Sequence, residues 1–496
     1  MTAPRANQLR LLGFAGLAAL LVWAAGTASS IAILVAFALI VGVGLFLVPK
    51  LALAAMGGFL LAQPLLVNLA GGPDEPLGMA LHRLHQTFVV TGALRVMVFM
   101  WSPTVAPRLR LWAWFTVAFL ALGIVSGFAH QVPVTTIGLG AFLAVKFNVF
   151  LLVALTIPWN EQDCERIVRW ALWLGPFLFV SGVIIWMSPP EVQDMFVDHS
   201  LETEFYGRGQ FNAMQGIFNH PSVFGWAVAW TGCYAVAGLL VGRQTWRALG
   251  AGSLVASVAA ILASLRRKPL LALPIATVYG VVRLGKGGRR WTVLALFTVL
   301  VGSSAWFAAE RLEVEYRDAL TYLDPTTATV PRVLLYVTGV QIANSRFPLG
   351  AGFGRFGGYA SVLDYSPLYD EYGLSQLWGL SQDSPYYLED TYWPHIAAET
   401  GWFGAVILLA FYLLLIARTS RIGIRAPGGA TKVLASGAAL ALLEGLIESG
   451  AGSVFEAALF AYAVAVPLGV ALTLGAPQPS PVVRDSPALP APTPTS

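Results

Sequence analysis

The sequence predicts an all-α polytopic integral membrane protein. Three observations point there: 57% of the 496 residues are hydrophobic, only 11% are charged, and apolar runs recur with short polar breaks from Leu11 to Leu474. A run of roughly 20 apolar residues crosses about 30 Å of hydrocarbon, whereas a soluble chain this apolar would aggregate. The runs divide into about fourteen transmembrane helices, with one large extracytoplasmic loop between late helices.

Leu11 to Ala25 and Ile31 to Val48 form a first hairpin turned by Gly26 to Ser30, an uncleaved anchor with a signal peptide as the alternative. Spans follow at Leu51 to Ala70, Thr87 to Trp101, Leu111 to Ala129, Thr136 to Pro158 and Arg166 to Ser188. After a polar break come Ser222 to Val241, Leu249 to Leu265, Pro269 to Val282 and Trp291 to Ala309. Ile396 to Ala417, Val433 to Gly450 and Val454 to Leu474 complete the set, and re-entrant rather than spanning geometry stays open for one or two helices. The chain therefore divides into N-terminal helices (1–188), a second membrane region (189–475) that includes the loop 310–395, and a Pro-rich, disordered cytoplasmic tail (476–496).

Short cytoplasmic loops hold an excess of Lys and Arg, so Arg5 and Arg10 put the N-terminus inside. Alternation from there also places Arg108/Arg110, Arg243/Arg247, Arg283 to Arg290 and Arg418 to Lys432 inside. Two polar segments fall outside, Pro189 to Pro221 and Glu310 to His395, and the second is large enough for a small subdomain. Cys164 and Cys233 fall in a cytoplasmic loop and within a span, so no disulfide is expected. The net charge of +4 belongs to the inner loops and indicates no nucleic-acid binding.

Arg266-Arg267-Lys268 breaks the charge rule, because it joins two spans whose far ends are basic and inside. Cations beside the bilayer on the outer side mark a functional site with anionic lipid head groups as partners, or else snorkel to outer-leaflet phosphates, or a helix is miscounted and the triplet faces inside. Arg208, Asn219 and His220 reach the same surface, where Pro221-Ser222 starts a helix and His220 reads as a cap. Arg332 opens an amphipathic stretch that ends in Gly350, Gly352 and Gly354, a tight turn that is either a turn alone or a cradle for a phosphate, with no nucleotide-binding fingerprint around it. Ser384 to His395 is dense in aromatic residues, which suit either an interfacial belt or stacking on sugar rings. Asp390 and His395 are the ionisable groups nearest the membrane there, and either can serve as a base. The six histidines all fall outside, but His82 and His85 lack metal-ligand spacing and a carboxylate motif, so no metal is expected.

In order, these elements resemble the O-antigen ligase and O-antigen polymerase superfamily of bacterial envelope glycosyltransferases. Gly216-x-Phe218-x-His220-Pro221, Ser264-x-Arg266-Arg267, the Arg332 helix ending in Pro348-Leu349-Gly350-x-Gly352-x-Gly354, and Asp390-Thr391 followed by Gly401-x-x-Gly404 carry the resemblance, over about Arg208 to Phe411. Ligases that act on lipid A core resemble His-Asn at the last motif; Asp390-Thr391 stands here, which favours a polymerase, although His395 lies close enough to substitute.

The resemblance implies transfer of a glycan from an undecaprenyl diphosphate carrier to a hydroxyl of a glycan or lipid-linked acceptor, outside a bacterial plasma (inner) membrane. Neither a cofactor nor a metal is implied, and other polysaccharide assembly proteins are further partners. On this reading Arg266, Arg267 and Arg332 hold the diphosphate, Arg208 and His220 are further candidates for it, and Asp390 or else His395 takes the acceptor proton. An O-antigen ligase, a protein O-oligosaccharyltransferase, a lipid-linked glycan flippase or exporter and a lipid-binding scaffold remain alternatives. For an export path, Arg95, Lys146, Glu444 and Glu448 are the intramembrane charges, and Lys146 is expected to pair with Glu444 and Glu448.

Overall fold

The computed structural model describes residues 30–73, 75–196, 207–208, 211–307, 331–427 and 429–475. The expected span Leu11 to Ala25, the first part of the large loop and the Pro-rich tail lie outside the described residues.

The described chain opens with α1 (Ser30–Leu47), α2 (Pro49–Leu69), α3 (Pro76–Phe99), α4 (Ala106–Ala129), α5 (Val134–Leu155) and α6 (Glu161–Trp186). A short α7 (Pro190–Asp194) and the hairpin of β1 (Gly207–Arg208) with β2 (Phe211–Asn212) precede α8 (Pro221–Val241), α9 (Gln244–Ala263), α10 (Arg267–Leu284) and α11 (Arg289–Phe307). Next come α12 (Pro331–Ser345), the short α13 (Tyr359–Leu363) and α14 (Leu368–Glu371), then α15 (Trp393–Arg425), α16 (Gly429–Glu448) and α17 (Ala458–Gly475). Among the described residues, 9 helices are long and apolar enough to cross a membrane: α2, α4, α5, α6, α8, α9, α15, α16 and α17. The protein is thus an all-helical, membrane-embedded bundle.

Local sequence explains most of the starts. Proline occupies the first turn of α2, α3, α4, α8 and α15, where its missing N–H leaves no hydrogen bond unmade. Asn160 caps α6 and forms a capping box with Asp163. Burial then sorts the helices. The apolar windows of α8, α16 and α5 are 89%, 78% and 72% buried by protein, against 22% for α2 and 33% for α6, so the first three form the centre and the last two face lipid.

Contacts gather the 155–161, 241–244 and 425–429 turns at one end with their Arg and Lys residues, Glu161 accepting the Ala430 N–H at 3.0 Å. Lys50–Asp163 at 2.6 Å and Arg243–Glu165 at 3.0 Å tie this basic end together. The opposite end carries the 331–392 segment, which has its own apolar core of Leu335, Ile342, Phe356, Leu368, Tyr369 and Leu380. Ser126 Oγ donates to the Gly350 carbonyl at 2.8 Å and Thr136 Oγ1 to Asp364 at 2.5 Å, anchoring that segment to α4 and α5.

Three expectations are corrected. The span expected from Thr87 begins at Pro76, because proline starts the helix and Ala80 and Leu84 already pack inward. The span expected from Val454 begins at Ala458, after a 3-10 turn that holds Glu456. Lys146 does not pair with Glu444 and Glu448. It lies on α5, which packs on α17 and its preceding turn, and its Nζ donates to the Glu456 carbonyl at 2.9 Å.

Candidate functional site

Several chain turns meet at the loop-bearing end: 220–221 before α8, 264–267 between α9 and α10, the start of α12, 389–393 before α15 and 449–457 between α16 and α17. Each brings a polar group that sequence alone leaves far from the others.

The α9–α10 turn is abrupt. Leu265 takes φ +54°, a left-handed conformation unusual for a side chain of this kind, and Arg266 and Arg267 follow as the N-cap and first residue of α10. Lys268 Nζ donates to the Ala451 carbonyl across from α10. Arg266, Arg332, Asp390 and Glu448 all act electrostatically on Lys268, so the cations of the α9–α10 turn converge with Arg332 and Asp390 in one patch. Arg332 NH2 donates to Asp390 Oδ2 at 2.7 Å, with both side chains about one-third exposed (32% and 35%). His220 caps α8, its Nδ1 accepting the Ser222 N–H at 2.9 Å, so the capping reading holds. A Cβ on Gly225, on the next turn, would lie 3.5 Å from Arg266 Cβ, so the start of α8 borders the same patch. Arg208 belongs to the β1–β2 hairpin, and its side chain lies outside the described structure.

His395 stands beneath this patch and not at an aqueous interface. It is 3% exposed; its Nδ1–H donates to the Phe356 carbonyl, and its Nε2 shares a hydrogen bond with Glu456 Oε1 at 2.9 Å. Glu399, one turn along α15, is fully buried and accepts the backbone N–H groups of Arg355 at 2.7 Å and Phe356 at 3.0 Å. The glycine turn holds a carboxylate of the chain itself. Gly350, Gly352 and Gly354 adopt positive φ, and the two N–H groups that follow Gly354 bind the carboxylate of Glu399. Gly352 and Gly401 are required for this fit: a Cβ on Gly352 would lie 2.3 Å from Gly127 Cα, and one on Gly401, where α15 kinks at φ +67°, 2.2 Å from the Pro348 carbonyl oxygen.

The 449–457 turn joins the two halves. Ser453 Oγ donates to the carbonyls of Glu389 (3.1 Å) and Thr391 (3.2 Å), Ser449 Oγ accepts from Trp393 Nε1 at 2.9 Å, and Glu456 holds His395. Glu389 is exposed at the rim as a residue, yet protein atoms crowd its carboxyl; that burial and the nearby Glu456 push its pKa up to about 7.

The structure thus brings Arg266, Arg332 and Asp390 together, adds Lys268, and sets His395 apart in a buried carboxylate pair. Sequence reasoning missed Glu389, Glu399 and Glu456. For the last two a usable signal existed, since an ionisable residue inside an apolar span points to a partner or a site. Among the described residues, no group of three or more His, Cys, Asp or Glu side chains is placed to hold a metal ion. No family model matches this sequence, and no curated protein matches it significantly.

Proposed function

We propose that this protein is a multi-pass glycosyltransferase of a bacterial plasma membrane, with about fourteen spans and its site facing outward, that polymerises glycan units carried on undecaprenyl diphosphate. One observation carries the reading: Arg266, Lys268 and Arg332 gather around Asp390 at the end of the bundle that bears the large loop, away from the basic loops.

In this reaction an acceptor hydroxyl oxygen bonds to the anomeric carbon, the bond from that carbon to the diphosphate oxygen breaks, and its electron pair leaves with the diphosphate. Arg266, Arg267 and Lys268 stabilise that developing charge. Arg332 turns from Asp390 toward the bound diphosphate, which frees the Asp390 carboxylate to take the hydroxyl proton. His395 positions the site from below, linking the 350–356 turn to the 449–457 turn. Transfer to lipid A core or to protein uses the same donor chemistry.

A lipid-linked glycan exporter is the second reading, favoured by the buried carboxyls Glu444 and Glu448 in the bundle. Arg95 adds nothing to it, since its guanidinium is held by Thr156 Oγ1 and the Leu45 carbonyl at 2.7 Å each. The deciding assay supplies purified undecaprenyl diphosphate glycan to reconstituted protein and follows product length and free carrier. Arg266→Ala with Arg267→Ala is expected to abolish release of free carrier diphosphate while leaving expression normal, the barrier rising by roughly 2 to 4 kcal/mol. Near-normal transfer by that variant would remove the diphosphate assignment. Translocation with the carrier bond intact would favour the exporter.

A further inference from the structure

Glu444 and Glu448 lie one turn apart on α16, and burial leaves them 0% and 4% exposed. Both Glu444 carboxyl oxygens and Glu448 Oε1 lack a hydrogen-bond partner. An independent observation comes from α8. Trp226 is 5% exposed and its indole N–H points to the Glu444 carboxyl without closing a hydrogen bond, so a buried donor is also left unsatisfied beside the carboxyls. Phe460 of α17 packs against Trp226, with ring centroids 4.4 Å apart, and closes the apolar side.

Charge does not balance here. Among the described residues, the charged groups acting on the two carboxyls are each other and Lys268 of α10. From α8 the titratable neighbour is Cys233, which is uncharged as a thiol; α6, α15 and α17 bring no charged group to bear on either carboxyl. Lys268 offsets one negative charge. An uncompensated second carboxylate within packed helices at membrane depth is costly, so the arrangement calls for one more positive charge.

We propose that Glu444 and Glu448 form a binding site for one monovalent cation, a proton or a sodium ion, buried behind Lys268 and opening toward the loop-bearing end. The site needs no glycan, although it shares Lys268 with the proposed transfer site.

The test uses full-length protein in detergent, wild type beside Glu444→Gln and Glu448→Gln. Each glutamine keeps the shape and removes the surplus negative charge, so neither variant needs the added cation. Thermal midpoints are measured from about pH 5 to about pH 9, in sodium chloride and in choline chloride of equal ionic strength. In parallel, dicyclohexylcarbodiimide, which attacks protonated carboxyls in apolar surroundings, is mapped by mass spectrometry. A wild-type midpoint that rises with sodium, with sodium protecting Glu444 or Glu448 from labelling, identifies the sodium form. A midpoint that rises with falling pH, with labelling at these residues that sodium does not affect, identifies the proton form. In Glu444→Gln the sodium dependence is expected to vanish, and the pH dependence to shrink to the part that Glu389 contributes. Wild type and Glu444→Gln responding alike to pH and to sodium would overturn the site, whatever the labelling shows.

Discussion

Arg332 and Asp390 face each other at 2.7 Å across 58 positions of sequence, and this pair joins the start of α12 to the approach of α15. The two residues expected to do separate jobs, binding diphosphate and accepting a proton, are therefore partners before any substrate arrives. With both side chains about one-third exposed, the pair contributes little to stability, on the order of 1 kcal/mol or less.

Asp390→Asn is expected to lower glycan transfer by about 100-fold, the usual worth of a positioned base, while the thermal midpoint barely moves. Arg332→Ala should also depress transfer at unchanged expression. Full activity in Asp390→Asn, measured with purified donor, would exclude Asp390 as the proton acceptor.

Replacing His395 tests a different property. Its ring is buried between the Phe356 carbonyl and Glu456, which is 8% exposed, so His395→Ala strands a buried carboxylate and is expected to destabilise by roughly 3 to 5 kcal/mol. The double variant His395→Ala with Glu456→Ala should recover part of that loss, because neither partner then remains unpaired. A His395→Ala protein as stable as wild type would contradict the positioning role.

Glu389 makes stability depend on pH. Its carboxyl is raised from 4.5 to about 7 in the folded protein, which therefore binds that proton more tightly than the unfolded chain. Its contribution is greatest below pH 4.5, falls as pH rises through about 7, and is level above. Glu389→Gln is expected to flatten that part of the profile in thermal melts. Superimposable profiles of wild type and variant would refute the raised affinity.

The proposed outward placement of the large loop has a direct chemical test. Asp370 is exposed on the 331–392 segment, and the two native cysteines, Cys164 and Cys233, are both buried. In intact cells, Asp370→Cys should react with a membrane-impermeant maleimide. Reaction only after the cells are opened would invert the topology and place the candidate site inside.

How much of this could be read without coordinates depends on what sets each feature. The membrane class, the succession of apolar helices and the separation of basic turns from the large loop come from the sequence itself, because hydrocarbon thickness dictates run length and turn residues mark the ends. The start at Pro221 followed from its proline, whereas the starts at Pro76 and Ala458 were missed, because hydropathy does not register the polar stretch His82 to Gln86 or a 3-10 turn. Only the tertiary structure decided which buried charges meet. Lys146 reaches the turn of Glu456 instead of Glu444, Glu456 meets His395 from 61 positions away, and the glycine turn holds Glu399. The physical reason is that helix faces turned to lipid and faces turned to protein are both apolar in such a bundle, so helix neighbours leave almost no periodic mark in the sequence.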